Sequence, residues 1–174
     1  MLSPFSAGVY DRASVPKEFN MRRTALALSL LALSALPASA QVKMTWDTTA
    51  TDTGASLAFG VPETDNTIIS FLCDKGNDMV LVSSHIGTKD LKAEDAARIL
   101  LSAGKVKKTL TGKAVLNEES ASVDVEAGAS MKDLKEVLAG GKMLQIETKG
   151  AKQQIALTGA PAAFGSFEAT CKAQ

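Results

Sequence analysis

This sequence has few of the residues from which active sites are usually built. It contains one histidine, one tryptophan, one tyrosine and two cysteines among 174 residues. Basic and acidic residues balance, with 19 of each. The densest basic group is Lys105, Lys107 and Lys108, which we interpret as a solvated strand edge. Nucleic-acid binding needs clustered Lys and Arg to neutralise phosphates, so we expect no nucleic-acid partner.

The same shortage argues against a cofactor or a metal. A zinc site needs three or four good ligands, and no Gly-rich phosphate loop is present. Four carboxylates flank the strand that we predict at residues 67–73, namely Glu63, Asp65, Asp74 and Asp78. Two lie at each end of that strand, so all four cannot share one calcium ion. We interpret them as solvated turn residues and expect no cofactor.

One long hydrophobic run is present, within residues 21–40. Arg22 and Arg23 precede an apolar stretch at residues 25–36, and Ala38-Ser39-Ala40 forms an A-x-A cleavage signal. This order is typical of a secretory signal peptide. Because the run is shorter than the ~20 residues that span a bilayer, we predict a cleaved signal and no membrane span afterwards.

The signal peptide divides the chain into three parts. We interpret residues 1–20 as an extension upstream of the true start at Met21, or else as a long n-region. Residues 41–174 are long enough for a single domain. The expected location of that domain is the periplasm or the exterior of the cell.

Both cysteines, Cys73 and Cys171, lie in the exported part. An even number of cysteines in an exported chain predicts a disulfide. The absence of a C-x-x-C motif and of neighbouring histidines disfavours a redox or metal site. We therefore predict a structural disulfide that closes most of the domain.

Alternation of apolar and polar residues dominates the exported part, and it is typical of strands with one buried face. We predict strands near residues 42–46, 55–60, 67–73, 79–84, 98–103, 107–116, 122–126, 142–148 and 152–158. The segment 98–103 fits either a strand or a short helix. The clearest hairpin joins 67–73 to 79–84 through the turn residues 74–77.

Helix signals appear at two places. Ser130 can cap a helix that has Asp133 at the capping-box spacing, and Gly140 ends it. A terminal helix over 160–171 has Pro161 in its first turn and Cys171 on its apolar face. The sequence thus predicts a mainly β fold, an antiparallel β-sandwich or flattened barrel with one or two short helices.

His85 is the one histidine and hence the first candidate for a catalytic base. It follows Ser83 and Ser84, but neither serine lies in a G-x-S-x-G nucleophile elbow. A catalytic triad also needs an orienting acid close in space, which the sequence does not identify. We interpret His85 as a loop residue and expect no enzyme, with a small hydrolase using His85 as an alternative.

Several segments carry a resemblance to known exported proteins. They are Trp46, residues 59–66, the strand with Cys73, the strand at 155–159, and the segment ending at Cys171. In this order they resemble small exported proteins of Gram-negative bacteria, which are mostly uncharacterised. The layout is also distantly similar to the invasion-associated locus B family and to a periplasmic accessory protein of type VI secretion. The resemblance implies a β-sandwich, and no catalytic residue is carried over from it.

Residues 70–82 also resemble the membrane-bound C-type lysozyme inhibitor family, since a strand cysteine is followed by a Gly turn and a second strand. That family presents a Ser-Gly-x-x-Tyr type loop, whereas residues 41–174 contain no tyrosine. Lysozyme inhibition is therefore an alternative. The main expectation is an exported periplasmic binding or envelope-accessory module without catalysis, whose partner is an unknown protein or envelope component.

Overall fold

A computed structural model describes residues 43–118 and 121–172 of the chain. These residues belong to one compact unit that spans Ala40–Gln174. The predicted upstream extension and signal peptide lie outside the described residues. Within the described ranges, no helix is long and apolar enough to cross a membrane.

Nine strands and two helices follow one another along the described chain. The strands are β1 Thr45–Ala50, β2 Gly54–Gly60, β3 Thr67–Asp74, β4 Met79–Ser84, β5 Ala96–Ala103, β6 Val106–Asn117, β7 Ser122–Ser130, β8 Met143–Thr148 and β9 Ala151–Ala156. The helices are α1 Met131–Leu138, between β7 and β8, and α2 Ala160–Lys172, after β9.

All nine strands form one antiparallel sheet in the order β1-β2-β3-β4-β7-β6-β5-β8-β9. The sheet curls into a half-barrel. The prediction of a mainly β, antiparallel fold with one or two short helices is therefore confirmed. Of the two architectures expected, the curled sheet is closer to the flattened barrel.

The core lies on the inner face of the curled sheet. Alternate strand residues such as Leu57, Phe71 and Ile99 are fully buried there, because successive side chains of a strand point to opposite faces. Helix α2 packs on β1 and β2, and α1 packs on β5, β6 and β7. Buried Leu134 of α1 and Phe167 of α2 complete the same apolar cluster.

Local sequence signals explain most element boundaries. The Ser130 Oγ accepts a hydrogen bond from the Asp133 backbone N at 3.1 Å and donates one to Asp133 Oδ2 at 2.7 Å. The predicted cap of α1 is therefore confirmed. The segment 98–103, whose sequence fits either a strand or a short helix, belongs to strand β5, in which alternate residues are buried.

The largest differences from the sequence prediction are at two strand ends. β7 continues to Ser130 instead of ending at 126, and β1 continues to Ala50 instead of ending at 46. Thr48 holds it in place, because its Oγ1 donates to the Ala163 backbone O of α2 at 2.8 Å. The segment predicted at 98–103 begins earlier, at Ala96, after a tight turn.

Candidate functional site

Cys73 and Cys171 form a disulfide that joins β3 to α2. Their Cα atoms are 6.0 Å apart, although 98 positions separate them in the sequence. Both residues are buried in the core, and the Gly76 backbone N donates to the Cys171 backbone O at 2.8 Å beside them. A buried disulfide of this kind holds the terminal helix against the sheet and is not exposed for exchange.

His85 lies on the outer face of the sheet, directly after β4. Its neighbour Ser84 pairs with Val125 of β7, so the antiparallel register brings His85 opposite Asp124. Ser84 also pairs with Ile69 of β3, which makes His85 a diagonal neighbour of Ser70. Diagonal side chains on one sheet face are within reach of an aromatic ring.

The imidazole of His85 contacts both of these side chains. Its Nδ1 lies 2.8 Å from Asp124 Oδ2, and its Nε2 lies 3.1 Å from Ser70 Oγ. A carboxylate only accepts hydrogen bonds, so Nδ1 donates to Asp124. In the neutral ring Nε2 is then the acceptor for the Ser70 hydroxyl, which is the bonding order of a Ser-His-Asp triad.

Further hydrogen bonds hold the Asp124 carboxylate in place. The Asn117 side-chain N donates to Asp124 Oδ2 at 2.9 Å, and the Ser122 Oγ donates to Oδ1 at 3.3 Å. The side chain of Asp124 is 6 % exposed, against 26 % for His85. The carboxylate is therefore buried but well bonded, while one edge of the imidazole reaches solvent.

The residues that the sequence placed beside His85 are not its partners. Ser84 points into the core, where its Oγ has no hydrogen-bond partner within the described ranges. Ser83 points outward, and its Oγ donates to Glu126 Oε1 at 3.3 Å. Adjacent strand residues face opposite sides of a sheet, so sequence adjacency to His85 was the wrong guide.

Ser70 and Asp124 were missed because they lie 15 and 39 positions from His85. One signal for Ser70 was available, since it faces away from the buried Ile69 and Phe71 and the predicted hairpin makes β3 and β4 neighbours. No local signal identifies Asp124. Strands β5 and β6 lie between β4 and β7 in the sequence, although β4 and β7 are neighbours in the sheet.

The position of Ser70 differs from that of most nucleophilic serines. It lies within β3, between Ala58 of β2 and Ser83 of β4. Backbone N–H groups of an interior strand lie in the sheet plane and bond neighbouring strands. Serine hydrolases draw oxyanion donors from the N–H of the nucleophile or of the residue after it, and here the N–H groups of Ser70 and Phe71 are committed to the sheet.

The four carboxylates around β3 occupy its two ends. Glu63 and Asp65 precede the strand, Asp74 ends it, and Asp78 precedes β4. In the part of the chain that the structure describes, no group of three or more His, Cys, Asp or Glu side chains is arranged to hold a metal ion.

Shallow grooves mark the outer surface. One of about 330 Å³ lies over the outer face of β1 and β2 and is walled by the turn at 61–65. Its lining includes the carboxylates of Asp47, Glu63 and Asp65, several hydroxyl groups, and no Lys or Arg. A second groove, of about 300 Å³, begins at Leu72, two residues after Ser70 on β3.

Comparison with known proteins identifies no relative of this chain. No protein-family model, no curated protein and no solved structure matches the chain.

Proposed function

We propose that this protein is an exported binding or envelope-accessory module that acts without catalysis. The buried Cys73–Cys171 disulfide supports an oxidising compartment, because such bonds persist outside the reducing cytosol. Together with the signal-peptide pattern of residues 21–40, it favours the periplasm or the cell exterior. The partner is a protein or a polymer of the envelope.

The observation that carries the binding proposal is the free edge of the sheet at β1. Among the strands that the structure describes, β1 pairs with β2 alone, and an edge strand offers unpaired backbone groups to an added strand. The acidic groove that contains Asp47 adjoins this edge. An extended, basic or hydroxyl-rich segment of a partner fits both features.

Site-specific photo-crosslinking in the exporting cell tests this proposal. A photoreactive amino acid at Thr49, which lines the groove, should give a discrete adduct with one partner. The same amino acid at exposed Thr111, on the outer face of β6, is the matched control. The absence of an adduct from Thr49, or the same adduct from both positions, would contradict binding at the β1 edge.

Export is tested separately by the mass of the recovered protein. We expect a chain that begins at Gln41 and weighs two hydrogens less than its reduced form, because the disulfide is closed. A chain that retains residues 21–40 in the cytoplasmic fraction would contradict the proposed location.

The hydrogen-bonded chain Ser70–His85–Asp124 favours a second candidate function, a small serine hydrolase. The two distances, 3.1 Å and 2.8 Å, connect the same atoms that a triad uses to activate a serine. The interior-strand position of Ser70 disfavours it, since an oxyanion would need a donor other than the Ser70 N–H. For this reason the hydrolase remains second to binding.

A fluorophosphonate probe, which labels activated serines, discriminates between the two candidates. The hydrolase predicts labelling that is lost in Ser70→Ala and in His85→Ala. Ser83→Ala is the matched control, because Ser83 faces the same side of the neighbouring strand and has no bond to His85. Unlabelled wild-type protein would leave the binding module as the function.

A further inference from the structure

We propose that, if Ser70 is the nucleophile of the hydrolase candidate, its substrates are esters of apolar carboxylic acids. The inference rests on that second candidate function and adds the substrate class. It is carried by an apolar surface that begins beside Ser70 and continues along the outer face of β3 and β4.

This surface, which we name the acyl shelf, consists of Leu72, Met79 and Leu81. Leu72 and Leu81 are paired across β3 and β4, and all three side chains are exposed. Gly128 of β7 lies opposite Leu81, and a Cβ at that position would approach the Met79 side chain to 3.2 Å. The missing side chain leaves a groove of about 300 Å³ between the shelf residues.

Ser70 lies next to the shelf on the outer face of β3. Ser70 and Leu72 are two residues apart on the same strand face, a spacing of roughly 7 Å. An acyl chain bonded to Ser70 Oγ would therefore have the leucines within its reach. Apolar area that leaves water on such a surface supplies binding energy at about 25 cal/mol per Å².

The paired strands on both sides of β3 argue for an ester rather than a peptide. Proteases hold an extended substrate through backbone bonds to a strand edge, and β3 has β2 and β4 on its two edges. No backbone edge is thus available at Ser70 to align a peptide. An ester with an apolar acyl group can be aligned by the shelf without a strand edge.

The reaction balances with water as the only co-reactant. Ser70 Oγ bonds to the ester carbonyl carbon while its proton moves to His85 Nε2, and the carbon–alkoxide bond then breaks as His85 returns the proton to the departing alcohol. Water attacks the acyl-Ser70 carbonyl and gives its proton to His85, and the acyl–serine bond breaks as His85 passes that proton to Ser70 Oγ. The products are one carboxylic acid, one alcohol and the free serine.

The test compares p-nitrophenyl acetate with p-nitrophenyl octanoate, using mature, disulfide-closed protein. We expect faster hydrolysis of the octanoate, lost for both esters in Ser70→Ala. Leu81→Ser should lower the ratio of the octanoate rate to the acetate rate about tenfold. Leu100→Ser is the matched control, because Leu100 on β5 is 38 % exposed and Leu81 is 40 % exposed.

Each outcome has one meaning. Hydrolysis that does not depend on Ser70 overturns the hydrolase candidate and this inference with it. Ser70-dependent hydrolysis with equal rates for both esters, or with no effect of Leu81→Ser, overturns the inference alone. Met79→Ser provides a second shelf variant if Leu81→Ser does not fold. Sedimentation that finds a wild-type dimer and a Leu81→Ser monomer would assign the shelf to self-association instead.

Discussion

The indole Nε1 of Trp46 donates a hydrogen bond to the backbone O of Ala156 at 2.7 Å. This bond links β1 to the last residue of β9, and these two strands are the opposite edges of the nine-stranded sheet. Trp46 also stacks on Phe71, with ring centroids 6.2 Å apart. One side chain thus connects the two edges of the half-barrel and packs in its core.

Trp46→Phe should lower the free energy of unfolding by about 1–3 kcal/mol. The change removes a buried hydrogen bond, leaves the Ala156 carbonyl without its donor, and creates a small cavity. Urea denaturation followed by circular dichroism measures the effect. An unchanged denaturation midpoint would mean that the bond between the edges adds nothing to stability.

Cys73→Ala combined with Cys171→Ala should lower the free energy of unfolding by about 2–5 kcal/mol, since the disulfide closes a long loop in the unfolded chain. Wild-type protein under reducing conditions is the control and should lose a similar amount. If the double variant is as stable as the oxidised wild type, α2 is held by packing alone.

Stability should fall at acidic pH through two carboxylates near the helices. Hydrogen bonds from Lys108 and then Ser130 hold the pKa of Asp133 below its ordinary value of 3.8. Hydrogen bonds from Lys172 and then Lys135 lower the pKa of Glu168 from 4.5. A carboxylate whose pKa is lowered in the folded state contributes its full stabilisation when the pH is above the ordinary pKa. That contribution is lost as the pH falls through the folded-state pKa.

The comparison of wild type with Asp133→Asn and Glu168→Gln measures this effect. The difference in unfolding free energy should be largest above about pH 5 and should shrink towards about pH 2. Because these pairs are partly exposed to solvent, 1 M salt should also reduce the difference. A difference that grows as pH falls would contradict the assignment.

Two strand glycines should respond differently to alanine. A Cβ at Gly112 of β6 would lie 1.8 Å from the Glu126 backbone O, whereas at Gly128 the nearest atom is the flexible Met79 side chain at 3.2 Å. We expect Gly112→Ala to cost about 1–3 kcal/mol because the backbone must move.

Gly128→Ala should change stability by less than about 1 kcal/mol, and thermal unfolding of both variants makes the comparison. Equal effects of the two substitutions would show that the spacing of β6 and β7 adjusts freely at Gly112.

The local sequence pattern was sufficient to predict most strands and helices, because strand alternation and helix capping depend on residues that are close in the sequence. Buried and exposed residues alternate in β5, and Ser130 caps α1, both as short-range chemistry requires. The strand end predicted at residue 46 was wrong, because packing against α2 extends β1 to Ala50. That contact joins Thr48 to Ala163, 115 positions away.

Two cysteines in an exported chain allow one pairing, so counting alone sufficed to predict the disulfide. The Ser70–His85–Asp124 chain required the tertiary structure, because β7 lies beside β4 only through the strand order of the sheet. Residue types and their periodicity decide which side chains are buried, and these can be read along the chain. The choice of which distant strands pair, and in which register, depends on how the whole sheet curls around its two helices.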